Sequence, residues 1–173
     1  MNSSFLFTLS LVLTSYAILP ASSSSLFEEL CMKVKETGSD VDQCLHILNI
    51  HPKLASVENY DELSKNILRI ALKKSIEAQN YLKEVIKTNP SAAIRECATV
   101  DYDGVVTSFR SSLSELTEDS ETANYDAKVG GDGPTTCDRA LAAEKINNPA
   151  IAALNKDILL LSNISFLATE MLS

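Results

Sequence analysis

The chain has 173 residues, 15 basic and 23 acidic, for a formal net charge of −8. That balance speaks against nucleic acid and anionic membrane as partners, because both attract lysine and arginine. Five glycines are few for an all-β chain of many tight turns, and 45% hydrophobic residues exclude a disordered chain.

Residues 1–25 carry no charged side chain, and Phe5 to Leu19 is largely apolar. Pro20 and the small residues Ala21 to Ser24 follow. This is the layout of a secretory signal peptide over 1–23, with cleavage near Ser23. The run is short for a membrane span, which needs about 20 apolar residues. The mature part, 24–173, is expected to be secreted with no membrane partner. In an oxidising compartment the four cysteines read as two disulfides.

The mature chain reads as helices. Phe27, Leu30, Cys31 and Val34 recur at helical spacing, and Thr37-Gly38 stops that element. Asp40 is placed to cap a second short helix carrying Val41, Cys44, Leu45 and Leu48. His51-Pro52 ends it. Residues 24–58 therefore form a helical hairpin. A long helix follows, with Asp61 as the expected N-cap and Pro90 as its stop. Its stripe is Leu63, Ile67, Ile70, Ala71, Ala78, Leu82 and Val85, widened by Leu68, Leu72 and Ile76. Ser91 opens the next helix, with Ala98, Tyr102, Val105, Phe109, Leu113 and Leu116 on one face. The stretch from Thr117 to Thr136 is weak. Asn124 to Val129 has helical character, and Gly130-Gly131-Asp132-Gly133-Pro134 reads as a strong breaker. Pro134 suits the first turn of a renewed helix carrying Cys137, Leu141 and Ala142. In the last helix Asn148 caps, Pro149 takes the first position, and Leu154, Ile158, Leu161, Ala168 and Leu172 form the stripe. The expected fold is all-α: an up-down four-helix bundle over 59–173 behind the hairpin.

Sequence alone leaves three pairings of four cysteines. Cys31 and Cys44 stand in the two arms of one short hairpin, where their Cβ atoms can approach, which favours local pairing. Cys97 and Cys137 stand on separate bundle helices.

There is no phosphate loop, dinucleotide glycine pattern, nucleophile elbow or His-Glu-x-x-His motif. A zinc set can be drawn from Cys31, Cys44, His46 and His51, but its spacing matches no common finger. No metal, cofactor or catalytic residue is expected. A glycosidase carboxylate pair would need sugar platforms, and tryptophan is absent. Asn163-Ile164-Ser165 is a glycosylation sequon, and Asn163 lies opposite the Leu154–Ile158–Leu161 stripe, so it is expected to face outward as a candidate glycosylation site.

Four features now stand together. A signal peptide precedes "LCMKVKETGSDVDQCLHIL". A third cysteine lies in "AIRECATVDY" and a fourth in "GPTTCDRAL". The chain ends in the apolar helix "LNKDILLLSNISFLATEML". This resembles the plant invertase and pectin methylesterase inhibitor family across the mature chain. The resemblance implies pairing of the first cysteine with the second and the third with the fourth. It also implies a protein without chemistry of its own, which blocks acid invertase or pectin methylesterase in the apoplast, cell wall or vacuole by filling the substrate cleft. Invertase inhibitors often carry Pro-Lys-Phe between the third and fourth cysteines. The corresponding residues here are Ala123-Asn124-Tyr125, the candidate target contacts, with Tyr125 in the aromatic place. The glycine-containing "AKVGGDGPTTC" resembles invertase-type members and tilts the reading slightly to invertase. The alternative is a secreted helical carrier of a small ligand. The family usually places a tyrosine four residues after the third cysteine, whereas Tyr102 stands five after Cys97. The extra residue rotates it by about 100° on a regular helix. Either the cysteine packs differently, or a local helix irregularity restores the phase.

Overall fold

The structure, a computed structural model, describes residues 24–172. The expected signal peptide over 1–23 lies outside the described residues. Helix α1 spans Leu26–Lys33. The Ser25 N–H donates to the Glu28 carboxylate at 2.7 Å, which satisfies one of the free donors at a helix start. A 3-10 turn, Val34–Thr37, continues α1 and ends at Gly38. Gly38 has φ +75°, a left-handed conformation that favours glycine. Helix α2, Val41–Asn49, is capped by Asp40, whose side chain accepts from the N–H groups of Asp42 and Gln43. The Cys31–Cys44 disulfide joins the arms, with Cα atoms 5.5 Å apart. A second 3-10 turn, Pro52–Ser56, leads out of the hairpin.

Helix α3 runs Tyr60–Thr88. Its cap is Asn59, not Asp61. The Asn59 side chain accepts from the Glu62 N–H at 2.9 Å. Asp61 instead lies inside the first turn, where its charge complements the helix dipole. Helix α4, Ala92–Glu96, begins at the expected cap Ser91. It passes through a π-helical segment, Cys97–Asp101, into helix α5, Tyr102–Glu115. The Tyr102 N–H bonds to the Cys97 carbonyl five residues back. This segment is the helix irregularity that absorbs the five-residue interval. Cys97 and Tyr102 consequently both point into the core, each fully buried.

The stretch after Thr117 is more helical than its sequence suggests. Helix α6 spans Ser120–Val129 and helix α7 spans Asp132–Ala143. Only Gly130 and Gly131 interrupt them. Asp132, Gly133 and Pro134 form the first turn of α7 rather than a loop. Neither Gly130 nor Gly131 has a positive φ. Their use is close approach: a Cβ on Gly130 would lie 2.9 Å from the Phe109 ring, and one on Gly131 would lie 2.9 Å from Ser162 Oγ. The Cys97–Cys137 disulfide ties α7 to the π segment. Helix α8, Pro149–Glu170, starts at Asn148, which accepts from the N–H groups of Ala150 and Ile151.

The bundle is a square of α3, α5, α6 and α8. Helix α3 packs on α5 and α8, and α6 packs on the same two. Helix α8 is long and apolar enough to cross a membrane, but half of its apolar window is buried among the other helices. Tyr102, Phe109, Ile67, Leu82, Ile158 and Ile164 fill the interior without meaningful exposure. Buried serines let the helices approach closely. Ser64 Oγ donates to the Ala168 carbonyl at 2.8 Å, Ser112 Oγ to the Ala123 carbonyl at 2.6 Å, and Ser162 Oγ to the Ala127 carbonyl at 2.8 Å. No strand occurs among the described residues.

Candidate functional site

The three candidate contacts Ala123, Asn124 and Tyr125 lie on α6, not in a loop. A helix sends successive side chains about 100° apart, so three neighbours cannot share one outer face. Ala123 is fully buried. Asn124 turns toward α8, where its amide nitrogen donates to the Phe166 carbonyl at 2.7 Å and to Thr169 Oγ1 at 3.0 Å. Both are corrected from contact candidates to bundle residues. Tyr125 is 66% exposed, a large aromatic ring held on a rigid helix. Its helical neighbours Glu121, Thr122 and Lys128 are exposed as well, which gives a polar surround. Lys128 Nζ lies 5.1 Å from the Phe166 ring centre, so that cation is partly anchored.

The π segment supplies a second exposed apolar side chain. Val100 is 66% exposed, while Cys97, Ala98 and Asp101 around it are buried. Sequence reasoning did not single out Val100. Its signal was the five-residue interval between Cys97 and Tyr102, which forces a bulge and turns one residue outward. π-Bulges recur at functional positions.

On the inner side of the bulge, Asp101 is 8% exposed and its Oδ2 has no hydrogen-bond partner. Burial first, and the charge of Glu96 second, push its carboxyl up to about 6. The Asp101 carboxylate and the sulfurs of Cys97 and Cys137 lie within 4.8 Å of one another. Both sulfurs are committed to the disulfide, so this trio is not a thiolate metal set. The same holds for the zinc set considered from Cys31, Cys44, His46 and His51, whose two cysteines are bridged to each other. Next to Asp101, the Tyr102 hydroxyl donates to Asn155 Oδ1 at 2.8 Å, and Asn155 Nδ2 donates to Asp138 Oδ1 at 2.6 Å. Burial raises the Tyr102 pKa, with Asp138, Asp101 and Asp157 adding to it, so the phenol stays neutral.

Asn163 does not face outward. It is half-buried, and its side-chain nitrogen donates to Ser39 Oγ at 2.9 Å, joining α8 to the hairpin. Gln43 makes a parallel link, donating to Asp157 Oδ1 at 2.7 Å. The sequon's Ser165 is fully buried. The outward placement failed because the stripe Leu154–Ile158–Leu161 faces the bundle, while the hairpin covers part of the other side.

No protein-family model matches the chain, and no curated protein matches it in sequence. Solved structures do match. One is the crystal structure of mutant form A of a pectin methylesterase inhibitor from Arabidopsis, at 20% identity and a TM-score of 0.72, covering 86% of this chain and 97% of that one. Another is a pectin methylesterase inhibitor from Arabidopsis thaliana, at 19% identity and a TM-score of 0.63, covering 87% of this chain and 98% of that one. This chain has the fold of those inhibitors. The likeness takes in hairpin and bundle together, because it spans nearly the whole of both structures.

Proposed function

We propose that the protein is a secreted inhibitor, not an enzyme, which blocks a plant carbohydrate-active enzyme by covering its substrate cleft. The single observation that carries this is the match of hairpin and bundle to two pectin methylesterase inhibitors over 97% and 98% of their lengths. Pectin methylesterase is the first target. Both solved structures that share the fold are pectin methylesterase inhibitors, which supports it. Acid invertase is the second, favoured by the Gly130-Gly131 interruption between α6 and α7. The contact is steric and polar, through Tyr125 and its polar neighbours on α6, with Val100 as a further apolar point. Aromatic side chains that are rigid and exposed are the usual anchors of such interfaces. A route through the secretory pathway, to the apoplast or vacuole, fits the two disulfides.

The test is inhibition of purified pectin methylesterase and acid invertase at pH 5 and pH 7. Full activity of both enzymes at both values overturns the reading. Tyr125→Ala separates the site from the fold. It is expected to weaken inhibition at least tenfold with an unchanged melting temperature. Unchanged potency would move the contact to another face.

A further inference from the structure

A groove of about 410 Å³ lies between the 3-10 turn at Pro52–Ser56 and helix α3. It is lined by the apolar Pro52, Leu54 and Ile70 and by Lys53, Asn66, Arg69, Lys73 and His51. No carboxylate lines it, although the chain carries 23 acidic residues against 15 basic ones. The groove is thus a cationic island on an acidic molecule. Its cations come from two separate elements, so the folding of the hairpin exit against α3 assembles it. Helices α3 and α6 share the neighbours α5 and α8 and sit across the square from each other. The groove is therefore distinct from the Tyr125 face.

We infer that this groove binds a small ligand carrying two or more carboxylates on a hydroxylated carbon frame, the chemistry of short uronic acid oligomers. Arg69 can take one carboxylate through two parallel N–H bonds, a geometry that lysine lacks. Lys73 lies one helical turn further along α3, about 6 Å away along the axis, and meets a second. Lys53 faces them from the 3-10 turn. The Asn66 amide offers a donor and an acceptor to a hydroxyl. Pro52 and Ile70, above the buried Leu54, receive the C–H face of the ligand, as mostly apolar pockets with a few polar groups do. Competition from within the protein is weak. Glu77 approaches Lys73 at 3.9 Å and Lys74 at 3.8 Å, both long and solvent-exposed pairs that contribute little. A second, smaller groove shares Arg69 and Lys73 and is completed by Leu72, Ile76 and Glu77, so the carboxylate-free lining is confined to the first.

His51 provides the readout. Its Nε2 is buried without a hydrogen-bond partner, and its pKa is lowered by burial first and then by Lys74 and Lys73. A bound polyanion offsets those two cations and raises the His51 pKa. His46 is the only other histidine in the chain and is absent from the groove lining, so it serves as an internal control.

The experiment is a titration of the full-length protein with trigalacturonate at low salt, following the imidazole C–H proton resonances. The expected result is saturable binding that raises the His51 pKa by about half a unit or more, with the His46 resonance unshifted by ligand at fixed pH. Arg69→Gln with Lys73→Gln should weaken binding at least tenfold, and the fully methyl-esterified, uncharged trisaccharide should not bind. Both positions are solvent-exposed, so the melting temperature should hold. An absence of saturable binding would overturn the inference. So would equal binding of the ester, equal binding by the double variant, or tighter binding of a hexaglutamate peptide, which would assign the groove to a protein partner.

Discussion

Replacing Gly133 by alanine puts a methyl group where the fold has no room. The new Cβ would overlap Val105 Cγ2 and lie 2.6 Å from the Asp101 carbonyl oxygen. The valine is pinned in the core, and the carbonyl belongs to the π segment. The Cys97–Cys137 disulfide holds α7 against that segment, so simple retreat is blocked. Two effects compete. Alanine improves helix propensity by at most about 1 kcal/mol over glycine. Overpacking against backbone costs about 1–3 kcal/mol, and contacts below 3 Å put this site at the upper end. The clash wins, with a net loss of about 2 kcal/mol and a melting temperature lower by about 4–8 °C for a chain of this size. Gly104 is the control. It lies in α5, and a Cβ there would meet nothing within 4 Å. Gly104→Ala should raise stability by about 0.5–1 kcal/mol through propensity alone. Far-UV circular dichroism during urea and thermal unfolding measures both. A Gly133→Ala protein as stable as the parent would refute the packing argument, and so would equal losses in the two variants.

Tyr102→Phe removes the donor to Asn155 Oδ1, leaving that atom buried and unpaired, and should cost about 1–3 kcal/mol in urea unfolding. An unchanged midpoint would mean that the Tyr102–Asn155–Asp138 chain carries no weight. Asp101 sets a pH dependence. Its folded pKa of about 6 stands above the ordinary carboxylate value of 3.8, so the native state holds the proton more tightly than the unfolded chain does. This group adds no penalty below about pH 4, and its ionisation then erodes stability as pH rises through 6, by roughly 1–3 kcal/mol in all. Asp101→Asn should flatten that decline in unfolding midpoints measured between pH 4 and pH 7, whereas parallel profiles would contradict the burial argument. Asn163 should carry no glycan in the folded protein, because its amide nitrogen is held by Ser39 on the hairpin. A mass shift on treatment with a peptide N-glycosidase, abolished by Asn163→Gln, would show that this contact is absent in the mature protein.

Much of the fold is written in short-range signals. Ser91, Asn148 and Pro149 mark helix starts because capping chemistry acts within three residues. The stripes on α3, α5 and α8 are legible because burial of one helix face imposes a period on the sequence. The hairpin disulfide is legible in the same way, since both cysteines belong to one compact unit. The run Gly130 to Pro134 misleads because glycine and proline serve two purposes. Read locally they break a helix, yet here the glycines make room for Phe109 and Ser162, and Pro134 sits in the first turn of α7.

Sequence by itself determined an all-helical chain, its cysteine partners by resemblance, and an aromatic residue at 125. Only the tertiary structure decided which side of α6 meets solvent, because that depends on where α5 and α8 stand. It left Tyr125 exposed and turned Ala123 and Asn124 inward. It also chose the π segment as the answer to the displaced Tyr102, since a regular helix would have carried that ring out of the core. The groove beside α3 belongs wholly to this second class. Lys53 lies 16 and 20 residues before Arg69 and Lys73, and nothing in that spacing brings them together until the hairpin exit folds back on the helix.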